Sequence, residues 1–265
     1  MEAQFLEING RRLFCNRLPK HDARWRLLVL PPFGEELNKC RRLLALCTRA
    51  LAADSCDVLW PDLYGTGDSA GDFEDARWDA WRADLAALAA WHAGQAPQAA
   101  PAVLAVRCGA LLLDAITEMP PGRVVLWQPV FDGGRFLQQF LRLRVMSQRM
   151  SGGSESVAQL EQALAAGESL EVAGYMLSGP LAAGLGAAQL TAGSFARATS
   201  VRMFEFKTSG DPALTLPTQK LHAALCEGGC AATASCVVAE QFWATQEISA
   251  PVSVVGATRA AFAEI

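Results

Sequence analysis

The alternation of short, continuously apolar runs with segments of helical periodicity is the feature that most restricts what this chain can fold into. Apolar runs lie at residues 25–31, 57–60, 102–106, 123–127, 201–206 and 234–239, and helical patterns lie at 36–53, 77–92, 108–118, 215–227 and 251–263. A strand that is apolar on both faces must be covered on both faces, and a helix between successive strands is the usual crossover of parallel pairing. The pattern therefore predicts an α/β domain with a mainly parallel sheet between layers of helices. A hairpin precedes it, because residues 4–8 and 11–18 alternate around Asn9-Gly10, a dipeptide suited to the positive φ angles of a tight turn. The rhythm breaks between residues 131 and 200, where helical patterns and small residues run on without a convincing strand. The expected division is a core of residues 1–130 and 201–265 with a helical cap, residues 131–200, inserted between two sheet strands.

A chain of 265 residues, 51% hydrophobic and 19% charged, is long enough for one well-cored domain with such an insertion. Its net charge is −4 with basic residues scattered, which argues against a phosphate-tracking groove and hence against nucleic acid. One segment departs from this. Arg135, Arg142, Arg144 and Arg149 interleave with Phe136, Leu137, Phe140, Leu141, Leu143, Val145 and Met146, the pattern of an amphipathic basic helix. It reads either as the solvated face of a lid helix or as a surface for a membrane or an acidic partner. The eight cysteines form no CxxC pair and no Cys/His cluster at metal spacing, so neither a metal nor a cofactor is called for. Cys15, Cys47, Cys56 and Cys236 sit in apolar stretches and read as small buried hydrophobes. The first residues lack a basic then apolar targeting pattern, and no run approaches the roughly 18 apolar residues that span a bilayer. A reducing cytoplasm is the simplest location.

Three segments in the first half carry a resemblance. Pro31-Pro32-Phe33-Gly34 ends a strand, Asp62-Leu63-Tyr64-Gly65-Thr66-Gly67-Asp68-Ser69 follows the next one, and Ala105-Val106-Arg107-Cys108-Gly109 joins a strand to a helix. Their order and spacing resemble the α/β-hydrolase fold, in which they correspond to the oxyanion loop, a structural Gly-rich turn and the nucleophile elbow. A narrower similarity runs through Pro32 to Lys39, Leu126-Trp127-Gln128-Pro129-Val130, Phe136 to Leu143, Val172-Ala173-Gly174-Tyr175 and Phe242 to Ile248. These look like the second hydrolase-like protein encoded with bacterial exosortase A systems, which accompany exopolysaccharide loci. The resemblance implies a fold and a genomic neighbourhood, with a hydrolase activity inferred from the fold.

The implied catalytic residues are incomplete. Arg107 stands where the nucleophile belongs, and counting back from Gly109 leaves no register that puts a serine there. A guanidinium stays protonated and cannot attack a carbonyl. Cys108, one residue on, is either a buried thiol or a nucleophile whose pKa is lowered by a helix N-terminus and the adjacent Arg. The three histidines are His21, His92 and His222, none of them after the last strand; Glu240-Gln241-Phe242-Trp243 stands there instead. Asp211 is the candidate acid, although Gly210-Asp211-Pro212 also reads as a turn. Ser69 and Ser178 read as turn and loop residues. The remaining pocket candidates are Phe33, Gly34, Glu35, Glu36, Arg107 and Gln128, with Trp127 and Trp243 as walls. Glu35 or Glu36 can pair with Arg107, giving either a structural ion pair or a fork that receives an anionic ligand group. Three functions are compatible with this census: an ester or thioester hydrolase with a non-standard site, a non-catalytic protein binding a small-molecule or carrier-bound acyl or saccharide ligand, and a scaffold docking through the basic helix.

Overall fold

The computed structural model describes residues 2–116, 122–150, 152–209 and 213–263. In chain order the strands and helices are β1 (Glu2–Ile8), β2 (Arg11–Leu18), β3 (Trp25–Leu30), α1 (Glu35–Asp54), β4 (Cys56–Pro61), α2 (Trp78–Gln95), β5 (Ala100–Val106), β6 (Gly122–Trp127), α3 (Gly133–Met150), α4 (Val157–Ala165), β7 (Leu170–Val172), β8 (Tyr175–Leu177), α5 (Gly179–Ala187), β9 (Ala198–Lys207), α6 (Leu216–Glu227), β10 (Ala231–Val238) and α7 (Val252–Ala263). Eight strands form one sheet in the order β1-β2-β4-β3-β5-β6-β9-β10. Only the β1–β2 and β2–β4 pairs are antiparallel; the rest run parallel.

Every residue of β3 and β4 is buried; most are apolar, and the two charged ones are hydrogen-bonded, Arg26 to Ala99 O and Asp57 to Arg17 and Lys20. One sheet face packs on α1 and α7 through Leu43, Leu44, Cys47, Val254 and Phe262. The other packs on α2, α6 and the residues between β6 and β9 through Leu85, Leu88, Leu181 and Leu221. Asn9 and Gly10 take φ of 50° and 74°, the tight turn that joins β1 to β2. This turn is fastened to α2: the buried Asp84 accepts from Arg11 Nε and Nη2 at 2.8 and 2.6 Å and from Asn9 Nδ2 at 3.0 Å.

Three expectations from sequence are corrected here. The segment after β5 is a 3-10 helix, Arg107–Ile116, and not an α-helix, and the last residues expected in that helix fall outside those described. Leu111, Leu112 and Leu113 are all buried, so this segment has no solvent stripe of the kind an amphipathic α-helix carries. The excursion between β6 and β9 contains a hairpin, β7 paired with β8, as well as α3, α4 and α5. Its turn, Ala173-Gly174, takes φ of 51° and 84°, a signal that the helical patterns around it masked. Cys15, Cys47 and Cys56 are buried, whereas Cys236 lies half-exposed on β10, the strand at the sheet edge. The excursion's ends meet: Leu190 N donates to Phe131 O at 2.9 Å and Gly133 N to Ala188 O at 2.9 Å.

Both sheet edges are modified. On β10, Ala239 N bonds to Lys207 O, so by alternation the carbonyls of Ala232 and Val238 face the open edge. His222 Nε2 lies 3.2 Å from Ala232 O, and Ser253 Oγ donates to Val238 O at 2.8 Å. On β1, Glu2 and Glu7 carry charge on the opposite edge.

A buried polar cluster sits at the N-terminal end of the parallel strands, away from the elbow. Asp57 accepts from Arg17 Nη2 at 3.2 Å and from Lys20 N at 3.1 Å, and its other oxygen meets His92 Nε2 at 2.8 Å. Burial pushes the Asp57 carboxyl up, but the hydrogen bonds from His92, Lys20 and Arg17 outweigh it and hold the group below its ordinary value. A carboxylate depressed in the folded state contributes stability above its unfolded pKa, about 3.9, and loses it as pH falls through the folded value. Urea denaturation is expected to show stability declining as pH drops below about 4, with a shallower decline in Asp57→Asn; equal slopes would show that the cluster does not sense protons.

Candidate functional site

β5 is a central strand, flanked by β3 and β6, so the turn at its end lies in the middle of the sheet's C-terminal edge. Arg107 opens that turn with φ of 52°, a left-handed conformation that costs a non-glycine residue roughly 1 kcal/mol or more. The turn is forced by proximity: a Cβ on Gly109 would come within 2.4 Å of Leu30 O and 2.6 Å of Pro31 O. The chain can pass this close to β3 only with glycine at 109, and the side chain at 107 is then lifted above the sheet edge.

Arg107 is held on three sides. Its Nη2 and Nε donate to Glu36 Oε1 at 2.9 and 3.2 Å, and Nη1 donates to Gln128 O at 3.2 Å. Its guanidinium carbon lies 4.6 Å from the centre of the Trp243 ring, a cation–π contact. Glu36 stands in the first turn of α1, where its charge also suits the helix N-terminus. Burial pushes the Glu36 carboxyl above its ordinary value, while Arg107 pulls it back. The side chains of Arg107 and Glu36 are 15% and 19% exposed, so water still reaches the pair. Gln128, at φ of 42°, turns its carbonyl toward Arg107 and accepts from Phe206 N through Oε1 at 2.7 Å.

The other candidates separate. Glu35 does not meet Arg107; it is half-exposed, accepting from Asn38 Nδ2 at 2.9 Å and Tyr175 OH at 3.3 Å. This links the start of α1 to β8, and burial together with Glu35 pushes the Tyr175 phenol up to about 12. Trp127 is not a wall of the site. It is the last residue of β6, and strand alternation sends it to the α7 face, where its Nε1 donates to Thr258 Oγ1 at 2.9 Å. Trp243 is buried, closing over Arg107 instead of lining an opening, and Phe206 and Phe242 pack against it at 6.2 and 5.1 Å. Asp211 lies outside the described residues. Ser69 is spent in the Gly-rich turn, donating to Asp62 O at 2.6 Å and accepting from Phe14 N at 2.8 Å. Ser178 is buried and accepts from Arg77.

Cys108 departs from the thiol with a lowered pKa. It is buried beside Phe33, Trp78 and Trp81, and desolvation, with Glu36 adding to it, raises its pKa well above the ordinary thiol despite Arg107. The space beside it, bounded by Pro31, Phe33, Leu63, Trp78, Trp81 and Leu112, is about 10 Å³, near the least that holds one water. An aromatic cluster that the sequence reading missed fills the region. Phe33 meets Phe140, Phe73, Phe136 and Trp81 edge-on at 5.3, 5.4, 5.8 and 6.0 Å, and Tyr175 packs on Phe73 at 5.1 Å. Gly34 is buried beneath Phe140 and Tyr175, whose ring atoms a Cβ there would meet at 3.8 and 3.9 Å. The i, i+4 spacing of Phe136 and Phe140 was the available signal, since it puts both on the inner face of α3.

Comparison with solved structures fixes the class of fold. Est1E from Butyrivibrio proteoclasticus with ferulic acid bound superposes with a TM-score of 0.66 at 13% identity, covering 98% of each chain. The enol-lactonase from Burkholderia xenovorans gives 0.60 at 13% identity over 98% of this chain and 100% of that one. XC6422 from Xanthomonas campestris, an α/β serine hydrolase without a lid, gives 0.55 at 14% identity, covering 99% of this chain and 93% of that one. This chain has the α/β-hydrolase fold. No protein-family model matches it, and no curated protein matches it in sequence.

Two measurements follow. Gly109→Ala is expected to lose about 1–3 kcal/mol in urea denaturation, because both colliding atoms are backbone; an unchanged midpoint would mean the elbow can retreat from β3. A thiol reagent added to the native protein is expected to modify exposed Cys226 first and Cys108 only on unfolding. Rapid modification of Cys108 near neutral pH would show a site more open than described.

Proposed function

We propose that this chain is a pseudo-hydrolase of an exosortase-linked exopolysaccharide system, using the α/β-hydrolase fold to bind an anionic acyl, saccharide or carrier-bound ligand without cleaving it. The observation that carries this reading is the guanidinium at the elbow, paired with Glu36 and covered by Trp243. Hydrolysis in this fold needs a nucleophile and a proton shuttle, and neither a guanidinium nor an indole supplies them. The buried, proton-retaining thiol of Cys108 is a poor substitute. The resemblance of Pro32 to Lys39, Phe136 to Leu143 and Phe242 to Ile248 to the exosortase-associated proteins supports the cellular setting.

Ligand chemistry follows from the pair itself. Glu36 is a carboxylate already seated on the Arg107 fork, so a ligand carboxylate or phosphate has to take its place. Glu36 is the partner able to yield, because burial biases it toward taking up a proton. The fold places this fork at the C-terminal edge of a parallel sheet, where ligands of open α/β sheets bind.

A fluorophosphonate probe is expected to leave the folded protein unlabelled, and stoichiometric labelling of a serine would overturn the non-catalytic reading. Calorimetry with acyl phosphates is expected to show weak binding to the native protein. Binding should strengthen about 10-fold or more in Glu36→Gln, the equivalent of one charge-assisted hydrogen bond released, and vanish in Arg107→Gln. Absence of binding to both the native protein and Glu36→Gln would make Arg107 a structural residue.

A further inference from the structure

The function proposed above leaves the outer face of α3 unused. Arg135, Arg142 and Arg149 recur every seventh residue and therefore lie in one row along the helix, about 10 Å apart. Beside that row stand Leu143, Met146 and Met150, which are 49%, 64% and 92% exposed. α3 contains no acidic residue, although the chain as a whole carries a net charge of −4. Arg144 is tied to Glu155 at 2.7 Å, and Arg135 is loosely paired with Asp132 at 3.7 Å. Arg142 and Arg149 make no ion pair among the described residues. The opposite face, Phe136, Leu137, Phe140, Leu141 and Val145, is buried in the protein, so the outward row is not a core face left uncovered by accident of register.

We propose that this face of α3 docks the protein on an anionic lipid surface. Charge decides the sign of the partner, since three outward guanidinium groups on an otherwise acidic protein attract negative charge and repel a second copy of the same face. Shape decides its kind. The apolar side chains stand on a convex helix ridge, two of them flexible methionines, and a fluid bilayer interface accommodates such a ridge without a matching groove. The arginine stems can lie along the acyl boundary while their heads stay at the phosphates. Among the described residues no helix is long and apolar enough to cross a membrane, so the contact is a surface one.

The experiment is flotation of the full chain with phosphatidylcholine vesicles that contain a third phosphatidylglycerol, against vesicles of phosphatidylcholine alone. Binding is expected only to the anionic vesicles and is expected to fall with added salt. Arg142→Glu combined with Arg149→Glu should reduce it by about 10-fold or more. Met146→Asp should also weaken it, with circular dichroism confirming that both variants stay folded. Failure of the native protein to float with anionic vesicles overturns the proposal. So does equal binding by both variants, or retention on soluble polyglutamate that matches vesicle binding and ignores Met146→Asp, which would mark an acidic protein as the partner. A concentration-dependent doubling of mass that Arg142→Glu abolishes would identify the face as a self-interface and would overturn it too.

Discussion

The close passage of the elbow over the Leu30 and Pro31 carbonyls is the constraint on which the upper half of the molecule depends. With no Cβ at Gly109, the chain leaving β5 reverses tightly enough to start the 3-10 helix against β3, and residue 107 is thrust above the sheet whatever its side chain. The backbone thus creates one privileged position, and the residue there decides what that position does. With Arg at 107, the position needs an acceptor and a cover. Both come from segments the fold already aims at the elbow: Glu36 from the first turn of α1, and Trp243 from the loop after β10.

The Arg107–Glu36 pair is better regarded as a specifier than as a source of stability. Removing two charges from water costs several kcal/mol, and their attraction with added hydrogen bonds offsets this only approximately. The pair does fix geometry: it joins β5 to α1, while Gln128 joins the same guanidinium to the ends of β6 and β9. The aromatic cluster around Phe33 acts in the same direction, tying α2, α3 and β8 to the loop after β3. Ion pair and cluster together leave little unfilled volume beside Cys108 at the elbow.

The strands were legible because continuous apolar runs such as residues 27–30 admit few alternatives, and Asn9-Gly10 announced its turn chemically. Arg107 at the elbow could also be read by counting along a short motif, and its partner could be narrowed to Glu35 or Glu36, but only the structure selects Glu36. Trp127 could not be placed, because one residue of register decides which sheet face it joins. The 3-10 helix was hidden by a leucine run whose periodicity fits either helix type, and the β7–β8 hairpin by strands of only three residues. The closure of the site was invisible for a different reason: Phe33, Phe73, Trp81, Phe140 and Tyr175 come from five separate segments, and only tertiary structure brings their rings together.

The treatment of the sheet edges has a consequence for the behaviour of the protein at high concentration. An open strand edge is a template for adding another chain, and β10, with no charged residue along it, would otherwise be the weak point. His222 and Ser253 occupy two of its outward carbonyls, while glutamates mark the far edge at β1. Strand addition at β10 must first break bonds to α6 and α7, so the sheet resists growth into aggregates for as long as those two helices remain docked.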